Sequence, residues 1–256
     1  MKVALIQTDI VWENPTENRR ILEGKINSIT ENMDLIILPE MFASGFTMHP
    51  SIVAEPMNGK TISWLKNTAK AKKCAITGSL VITENDCFYN RMVFVFPDGE
   101  IQHYDKKHLF TLAGEDKVYT SGNEKVIVNF KDWKICLQVC YDLRFPVFSR
   151  NTENYDLLIY VASWPKVRTN AWDILLKARA VENLSYAIGV NRIGTDQNNL
   201  EYIGHSQIID ELGNFIIEPT ENEGVFMADL DKNKMLETRN KLNFLNDKDE
   251  FNFPNA

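Results

Sequence analysis

Several functional classes are disfavoured by what this sequence lacks. It has no excess of positive charge, because 28 lysines and arginines stand against 35 aspartates and glutamates and give a formal net charge of −7. Binding to nucleic acid or to an anionic membrane surface depends largely on such an excess. Apolar runs are also short, and LIIL at 35–38 has the length of a strand, not of a membrane span. We therefore expect no nucleic-acid partner and no membrane partner.

Cysteine and histidine are scarce, with four of each in 256 residues. The sequence has no C-x-x-C and no H-E-x-x-H, so a zinc site has little support. The first apolar stretch follows Met1-Lys2 and is already polar at Gln7, which is too short for the core of a signal peptide. We therefore expect a cytoplasmic protein without disulfides, in which a cysteine is either buried apolar filling or a reactive nucleophile.

Glycine-rich signatures are missing as well. No G-x-G-x-x-G or G-x-x-x-x-G-K-[ST] follows a predicted strand, which disfavours the usual cradles for nucleotide phosphates. The sequence also lacks G-x-S-x-G, the main signature of the serine α/β-hydrolases. A reactive group must therefore be sought elsewhere in the chain.

What the sequence does contain is an alternation of strand and helix patterns. Apolar runs such as DLIIL at 34–38, WKICLQVC at 133–140 and YIGHSQIID at 202–210 predict strands. Asn14 and Pro15 indicate a helix cap and a first turn. No stretch resembles a linker, so we predict one α/β domain over residues 1–256 with helices covering mixed sheets. The predicted helices lie at 15–32, 59–73, 171–184 and 232–245.

Three polar residues lie where predicted strands end. Glu40 follows LIILP, Lys106 follows IQHYD and Cys140 follows KICLQV. In open α/β sheets, ligand crevices form at strand ends. Each residue also has an ordinary interpretation, because such a cysteine is often buried filling and a charged loop residue is often merely solvated. That interpretation is retained for the other cysteines, Cys74, Cys87 and Cys136.

The sequence around the three residues favours a function. The segments read LPEMFASGF at 38–46, YDKKHLF at 104–110 and VCYDLRFP at 139–146. With these motifs in this order, the chain resembles the nitrilase superfamily of carbon–nitrogen hydrolases. SWP at 163–165 and WDILLKARAVEN at 172–183 extend the likeness over nearly the whole chain. The resemblance implies a four-layer α-β-β-α sandwich.

Matched residue by residue, the resemblance implies that Cys140 is the nucleophile, Glu40 the general base and Lys106 a cation beside them. Glu115, in the loop that follows the lysine motif, matches a second glutamate that orients Lys106 or the substrate. Ser163 stands where the family more often has asparagine, and we expect it to make no contact with the triad.

The reaction expected of this triad is amide hydrolysis through a thioester. The thiol has an ordinary pKa of about 8.5, so a base and a nearby cation must supply about 2 kcal/mol to ionise it at neutral pH. Cys140 attacks the carbonyl while Glu40 takes its proton, and Lys106 and the backbone N–H of Tyr141 hold the oxyanion. Ammonia leaves, and a water molecule deprotonated by Glu40 hydrolyses the thioester. This chemistry requires no cofactor and no metal.

Within the superfamily, GFTMHP and CYDLRFPVFSRN look most like the bacterial omega-amidase branch. That likeness implies deamidation of the omega-amides of dicarboxylates, especially 2-oxoglutaramate and 2-oxosuccinamate. In a chain of net charge −7 such an anion needs a local cation, for which Arg144 and Arg168 are candidates. Arg144 can equally form a structural ion pair under the cysteine loop. Phe46 and Trp164 can wall the pocket or simply belong to the core.

Other interpretations stay open. The same triad can serve a nitrile, an N-carbamoyl compound or a short aliphatic amide, and the fold can persist in a non-catalytic scaffold. The resemblance also implies a homodimer formed through the helices after Cys140 and at 171–184. Phe244, Phe251 and Phe253 make the tail, about 246–256, apolar enough to dock on a neighbouring subunit.

Overall fold

A computed structural model of the chain describes residues 1–251. Within that range, two six-stranded sheets and a two-stranded ribbon account for the strands, and α-helices and short 3-10 turns connect them. The strands are β1 (Lys2–Gln7), β2 (Leu35–Ile37), β3 (Ala75–Glu84), β4 (Cys87–Val95), β5 (Ile101–Asp105), β6 (Ile127–Phe130), β7 (Trp133–Val139), β8 (Leu157–Ala162), β9 (Tyr186–Asn191), β10 (Ile193–Thr195), β11 (Glu201–Ile203), β12 (Gln207–Ile209), β13 (Phe215–Ile217) and β14 (Gly224–Asp229). The helices are α1 (Pro15–Ser28), α2 (Pro50–Val53), α3 (Lys60–Lys72), α4 (Pro146–Ser149), α5 (Thr169–Asn183) and α6 (Lys232–Leu242).

The two large sheets share one plan. The first has the order β14-β1-β2-β3-β4-β5 and the second has the order β13-β12-β9-β8-β7-β6. In each sheet three central strands run parallel, β1-β2-β3 and β7-β8-β9, and antiparallel strands flank them on both sides. The carboxyl ends of the parallel strands therefore lie along one edge of each sheet, where crevices form.

Alternation along the parallel strands separates the layers. In β1, Val3 and Leu5 belong to the core cluster that contains the second sheet. Ala4 and Ile6 belong to another cluster, which contains α1 and α3 residues such as Leu22. Because successive side chains of a strand point to opposite faces, the first sheet is covered by the second sheet on one face and by helices on the other.

The outer face of the second sheet is covered in the same way. Trp172 and Leu176 of α5 pack so closely on β9 that a Cβ at Gly189 would lie 2.4 Å from Leu176 and 2.6 Å from Trp172. Met235 of α6 is fully buried in the same cluster. The order of layers is thus helices, sheet, sheet, helices, and the predicted four-layer α-β-β-α sandwich is confirmed.

The ends of several elements differ from the sequence-based prediction. The segment 202–210, predicted as one strand, is two strands, because Gly204 and His205 between them both have positive φ. The first helix starts at Pro15 with the Asn14 side chain accepting from the Glu17 N–H, as predicted, but it ends at Ser28 instead of residue 32. The last helix ends at Leu242, because Asn243 adopts the left-handed conformation of a helix C-terminal cap.

The cysteines are all free thiols, and their environments differ. Cys74 and Cys136 are buried, as expected of apolar filling, whereas Cys87 at the start of β4 is only partly buried. In the C-terminal segment, Phe244 is exposed and Leu245 is buried. Phe253 lies outside the described residues, so docking of the tail on a second subunit stays a prediction. Across residues 1–251, no helix combines the length and the apolar character needed to cross a membrane.

Candidate active site

The four residues singled out in the sequence come together between the two sheets. Glu40 lies just beyond β2 and Lys106 directly after β5, both from the first sheet, and Cys140 directly follows β7 of the second. The Nζ of Lys106 is 3.0 Å from Oε1 of Glu40 and 2.9 Å from Oε2 of Glu115. The Cys140 thiol interacts electrostatically with the Glu40 carboxylate and the Lys106 ammonium. The fold therefore brings together groups that are far apart in the chain.

The turn after β2 holds Glu40 rigidly. Met41 has a φ of +44°, an uncommon conformation for a residue with a side chain, and its N–H donates to the Ser79 hydroxyl at 2.9 Å. The Ser163 N–H donates to Oε2 of Glu40 at 2.7 Å. The expectation that Ser163 makes no contact with the triad is therefore wrong. The contact uses the backbone N–H, which any residue except proline can supply.

Glu115 is fully buried and contacts Lys106. Its two oxygens are 3.1 Å and 2.9 Å from the Lys106 Nζ, and Oε2 also accepts from the Phe110 N–H at 2.6 Å. Because the Phe110 N–H holds the Glu115 carboxylate in place, the charge-assisted hydrogen bonds to Lys106 restrict the position of the ammonium. The structure thus places Glu115 in contact with Lys106, and its role in orienting Lys106 stays a prediction.

The charges of the cluster are strongly coupled. Burial alone lowers the pKa of Lys106, but the carboxylates of Glu115 and Glu40 outweigh it and raise that pKa above its ordinary value. Burial raises the pKa of Glu115, and Lys106 offsets only part of this rise, to which Glu40 adds. One ammonium is thus shared between two buried carboxyl groups.

Cys140 sits at a sharp turn from β7 into a 3-10 helix, Cys140–Arg144, with a φ of +46°. Burial raises the pKa of its thiol well above the ordinary value, Glu40 raises it further, and Lys106 lowers it only in part. The site therefore does not supply the ionisation expected from the sequence, and the resting thiol is neutral. Tyr141 follows in the first turn of this helix, where an N–H group has no partner within the helix.

Asp142 was not singled out from the sequence, although it lies within the motif VCYDLRFP. It is fully buried and accepts from the Tyr104 hydroxyl at 2.8 Å, the Val139 N–H at 2.9 Å and the His108 N–H at 3.0 Å. The His108 ring nitrogen is a further partner at 2.7 Å. Asp142 thus ties the cysteine loop to the loop that carries Lys106. Its signal in the sequence was a carboxylate two positions after a reactive cysteine.

A cavity of about 450 Å³ opens above the cluster. Cys140 and Lys106 lie in its wall, and so do the two predicted wall residues Phe46 and Trp164 and the predicted oxyanion-binding residue Tyr141. Trp164 is buried, so it is at once a core residue and a wall residue. The other lining residues are Trp12, Met48, His49, Phe110, Leu112, Ala113, Arg144, Ser163, Pro165, Arg168, Asp196, Asn198, Leu200 and Tyr202. Among the described residues, no three His, Cys, Asp or Glu side chains are grouped as metal ligands.

Both candidate arginines lie in this cavity wall. The guanidinium of Arg144 is 4.9 Å from the centre of the Trp164 ring, and that of Arg168 is 5.2 Å from the centre of the Phe110 ring. Neither forms an ion pair with a carboxylate within residues 1–251, which leaves the alternative of a structural pair for Arg144 without support there. Support beneath the cysteine loop comes instead from the buried Arg179, which donates to the Leu143 carbonyl at 2.6 Å.

Comparison with known proteins supports the resemblance to the carbon–nitrogen hydrolases. The family model for carbon–nitrogen hydrolases matches residues 2–240. The omega-amidase YafV of Yersinia enterocolitica is 41% identical over 255 residues and covers 98% of both chains. A 2-oxoglutaramate amidase of Bacillus subtilis is 32% identical over 250 residues and covers 96% of both chains.

Solved structures extend the likeness to three dimensions. A carbon–nitrogen hydrolase superfamily protein of Xanthomonas campestris, which carries an arsenic adduct in its active site, is 39% identical. It superposes with a TM-score of 0.97 over 99% of both chains. The resemblance seen in the three motifs is confirmed: this chain belongs to the carbon–nitrogen hydrolase family and is a hydrolase of carbon–nitrogen bonds.

Proposed function

We propose that the protein is an omega-amidase, which hydrolyses the terminal amide of dicarboxylic acid monoamides such as 2-oxoglutaramate and 2-oxosuccinamate. The observation that carries the substrate class is Arg144, which lines the same cavity as Cys140 and forms no ion pair with a carboxylate of the described chain. A cation of this kind beside an amide-cleaving centre suits a substrate that is an amide at one end and a carboxylate at the other. The similar proteins of Yersinia enterocolitica and Bacillus subtilis are named an omega-amidase and a 2-oxoglutaramate amidase, which supports the same substrate class.

The first half of the proposed reaction acylates the enzyme. The Cys140 sulfur attacks the amide carbonyl carbon while its proton passes to Glu40, the buried carboxylate with which the thiol interacts electrostatically. The carbonyl oxygen becomes an oxyanion that the Lys106 ammonium and the Tyr141 N–H stabilise. Glu40 returns the proton to the leaving nitrogen, the carbon–nitrogen bond breaks, and ammonia departs from a thioester.

The second half releases the acid. Glu40 takes a proton from a water molecule whose oxygen attacks the thioester carbonyl, and the proton then restores the thiol as the carbon–sulfur bond breaks. Because the resting thiol is neutral, proton transfer to Glu40 must accompany attack in the first half. Glu40, a buried carboxylate that interacts electrostatically with the nucleophile, meets that requirement.

The cavity wall divides into two parts in this proposal. Phe46, Tyr141 and Trp164 line the apolar part, against which the methylene carbons of the substrate pack. Arg144 receives the distal carboxylate, and Arg168 is the second candidate for it. An Arg–carboxylate pair in such a setting is worth about 2 kcal/mol, which corresponds to a discrimination of about 30-fold.

Ammonia release across a panel of compounds tests the substrate class. We expect omega-amides of dicarboxylates to have a kcat/KM at least about 30-fold above that of uncharged aliphatic amides of the same length. Equal rates on the two kinds of amide would contradict the proposal. Turnover of only nitriles or N-carbamoyl compounds would show that the same catalytic residues act on a different class of substrate.

Alkylation with iodoacetamide tests the alternative of a non-catalytic scaffold. Burial raises the pKa of Cys74 to about 11 and that of Cys136 to about 12. In the proposed mechanism Cys140 has Glu40 to accept its proton, so at neutral pH it reacts faster than Cys74, Cys87 and Cys136. Equal rates for the four thiols would favour the scaffold.

A homodimer remains part of the proposal. Exposed apolar residues lie on the helices implied by the resemblance, with Ile174 and Val181 on α5 and Val147 on α4. Such residues favour burial against a second subunit. Light scattering that returns the mass of one chain would refute the dimer. A cytoplasmic location likewise stays a prediction.

A further inference from the structure

The active-site cluster holds two carboxylates and one ammonium, all buried at the base of the cavity. The side chains of Glu40, Glu115 and Lys106 are all 0% exposed. With both carboxyl groups ionised the three carry a net charge of −1, and each carboxylate needs more hydrogen-bond donors than one ammonium offers. Something else must stabilise the ionised pair.

Asn90 of β4 lies against both carboxylates. Its Nδ2 donates to Oε1 of Glu40 at 2.8 Å and to Oε1 of Glu115 at 3.2 Å. Its backbone carbonyl accepts from the Lys106 N–H at 3.0 Å. One residue thus contacts both carboxylates through its side chain and the backbone of Lys106 through its own backbone.

The orientation of the amide follows from chemistry. Ionised carboxylates only accept hydrogen bonds, so the NH₂ end must face them and the Oδ1 end must point away. That Oδ1 is buried and has no hydrogen-bond partner among the described residues. An orphaned buried oxygen is unfavourable, and an apolar side chain of the same size would avoid the cost. The fold alone does not explain asparagine at this position.

The neighbours of Asn90 on the strand strengthen this point. Met92 and Phe94 follow it on the same face of β4, and both are fully buried in the core between the sheets. Asparagine is unfavourable in a buried strand, where β-branched and aromatic residues pack better. Among these three residues of one face, only the one that reaches the charged cluster is polar.

We infer that Asn90 is a positioning residue for the carboxylate pair. Its two N–H donors keep Glu40 and Glu115 ionised around a single Lys106, so that Glu40 remains free of a proton and can receive one from Cys140. Its backbone carbonyl fixes the start of the loop that carries Lys106. The inference rests on the roles given to Glu40 and Cys140 in the proposed function.

The titratable groups around Asn90 come from several elements. Glu40 follows β2, Lys106 follows β5 and Cys140 follows β7, whereas Glu115 begins the short 3-10 helix Glu115–Lys117. Tyr119 interacts electrostatically with the same carboxylates and with Lys106. The next residue on β4 points to the other face, where Arg91 pairs with Glu84 and Asp105. Of these groups, the carboxylate pair is the one that loses a donor if Asn90 is replaced.

Asn90→Leu is the sharpest test, because leucine has nearly the same shape and no donor. Without the amide, the ionised form of the buried carboxyl pair loses a donor, so the acid limb of the kcat/KM profile moves up by about one pH unit. On the acid side of the limb, kcat/KM therefore falls by up to about 10-fold relative to the wild-type protein. Met92→Ala is the control, since it truncates a buried side chain two residues along the same face and leaves the cluster intact. We expect it to lower thermal stability without moving the acid limb.

A second measurement needs no substrate. The pH dependence of Cys140 alkylation by iodoacetamide, followed by peptide mass, should move in the same direction, because it also depends on an ionised Glu40. If the wild-type protein cleaves no omega-amide, the proposed function fails while this comparison still tests Asn90.

The outcomes separate the alternatives. An unshifted acid limb in Asn90→Leu, in both assays, overturns the inference even if kcat falls, since a purely structural role changes rate without changing the profile. If Asn90→Leu does not fold, Asn90→Ser keeps one donor, and a smaller upward shift supports the inference while no shift overturns it.

Discussion

The base and the mouth of the cavity differ in whether their charged side chains are paired. At the base, Glu40, Lys106 and Glu115 are fully buried, and each charged group has a partner of opposite charge within 3.0 Å. At the mouth, Arg144 is exposed, and neither it nor Arg168 forms an ion pair with a carboxylate of the described chain. The charged groups at the base are paired without a ligand, whereas the two arginines at the mouth are available to pair with a ligand carboxylate.

This difference indicates which part of the site does what. The buried cluster depends on its single cation, because removing Lys106 leaves two uncompensated carboxylates in a low-dielectric environment. It suits a reaction step that is the same for every substrate. An unpaired, solvent-accessible cation gains its partner only when a ligand arrives, so it suits the choice of substrate. Substitutions at the base should therefore affect kcat, and substitutions at the mouth should affect KM.

The largest effect is expected at the nucleophile. Cys140→Ala should lower amide hydrolysis by about 10⁴-fold or more, because no other group can form the thioester. The control is Cys136→Ala on the same strand, which should retain activity with a modest loss of stability. Wild-type ammonia release from Cys140→Ala would refute the proposed mechanism outright.

The next largest effect is expected from Lys106→Met, which breaks the pairing at the base. Two fully buried carboxylates lose their ammonium, so we expect the free energy of unfolding to fall by about 3–5 kcal/mol and kcat to fall by about 10³-fold. Lys107→Met, one position along, removes the same charge from a less buried side chain. Denaturant unfolding and ammonia release should separate the two variants, and equal behaviour would show that the pairing is not what stabilises the base.

A smaller effect is expected from Asp142→Asn. The amide presents an NH₂ group to N–H donors that previously met a carboxylate, so the cysteine loop and the lysine loop are joined less firmly. We expect kcat to fall about 10- to 100-fold with little change in KM. Asp116→Asn, an exposed change in the same region, is the control. A rise in KM alone would place the role of Asp142 in substrate binding.

The smallest effect on chemistry is expected at the mouth. Arg144→Met should raise KM for an omega-amide of a dicarboxylate about 10- to 100-fold and leave an uncharged amide nearly unaffected. Lys166→Met is the matched control, since Lys166 is an exposed cation nearby that already pairs with Glu201 at 2.9 Å. A similar loss on the uncharged amide would mean that Arg144 shapes the pocket and does not recognise charge.

Much of the fold was predictable because its signals are local. The runs DLIIL and WKICLQVC gave strands within a residue or two of β2 and β7, since buried parallel strands are continuous apolar segments. The break at Gly204 and His205 was not predictable from hydrophobicity, because the apolar pattern continues through it while the backbone does not. Helix ends were misjudged for the same reason, as at Asn243.

The candidate site was predictable in its membership and not in its electrostatics. Glu40, Lys106, Glu115 and Cys140 were found through motifs, and the structure brings them together. Asn90 and Asp142 were missed, because each acts through contacts with residues distant in the chain. The neutral state of the Cys140 thiol was also missed, since it depends on burial at a junction that no segment forms alone.

The sequence by itself determined the reactive residue types, their placement at strand ends and the apolar runs that build the sheets. These are properties of short segments, set by side-chain chemistry and backbone preference. Only the tertiary structure decided that one ammonium is shared by two buried carboxylates, that an asparagine lies between them and that Arg144 forms no pair with a carboxylate of the described chain. Those properties depend on distance and on the exclusion of water, which exist only after the two sheets have packed together.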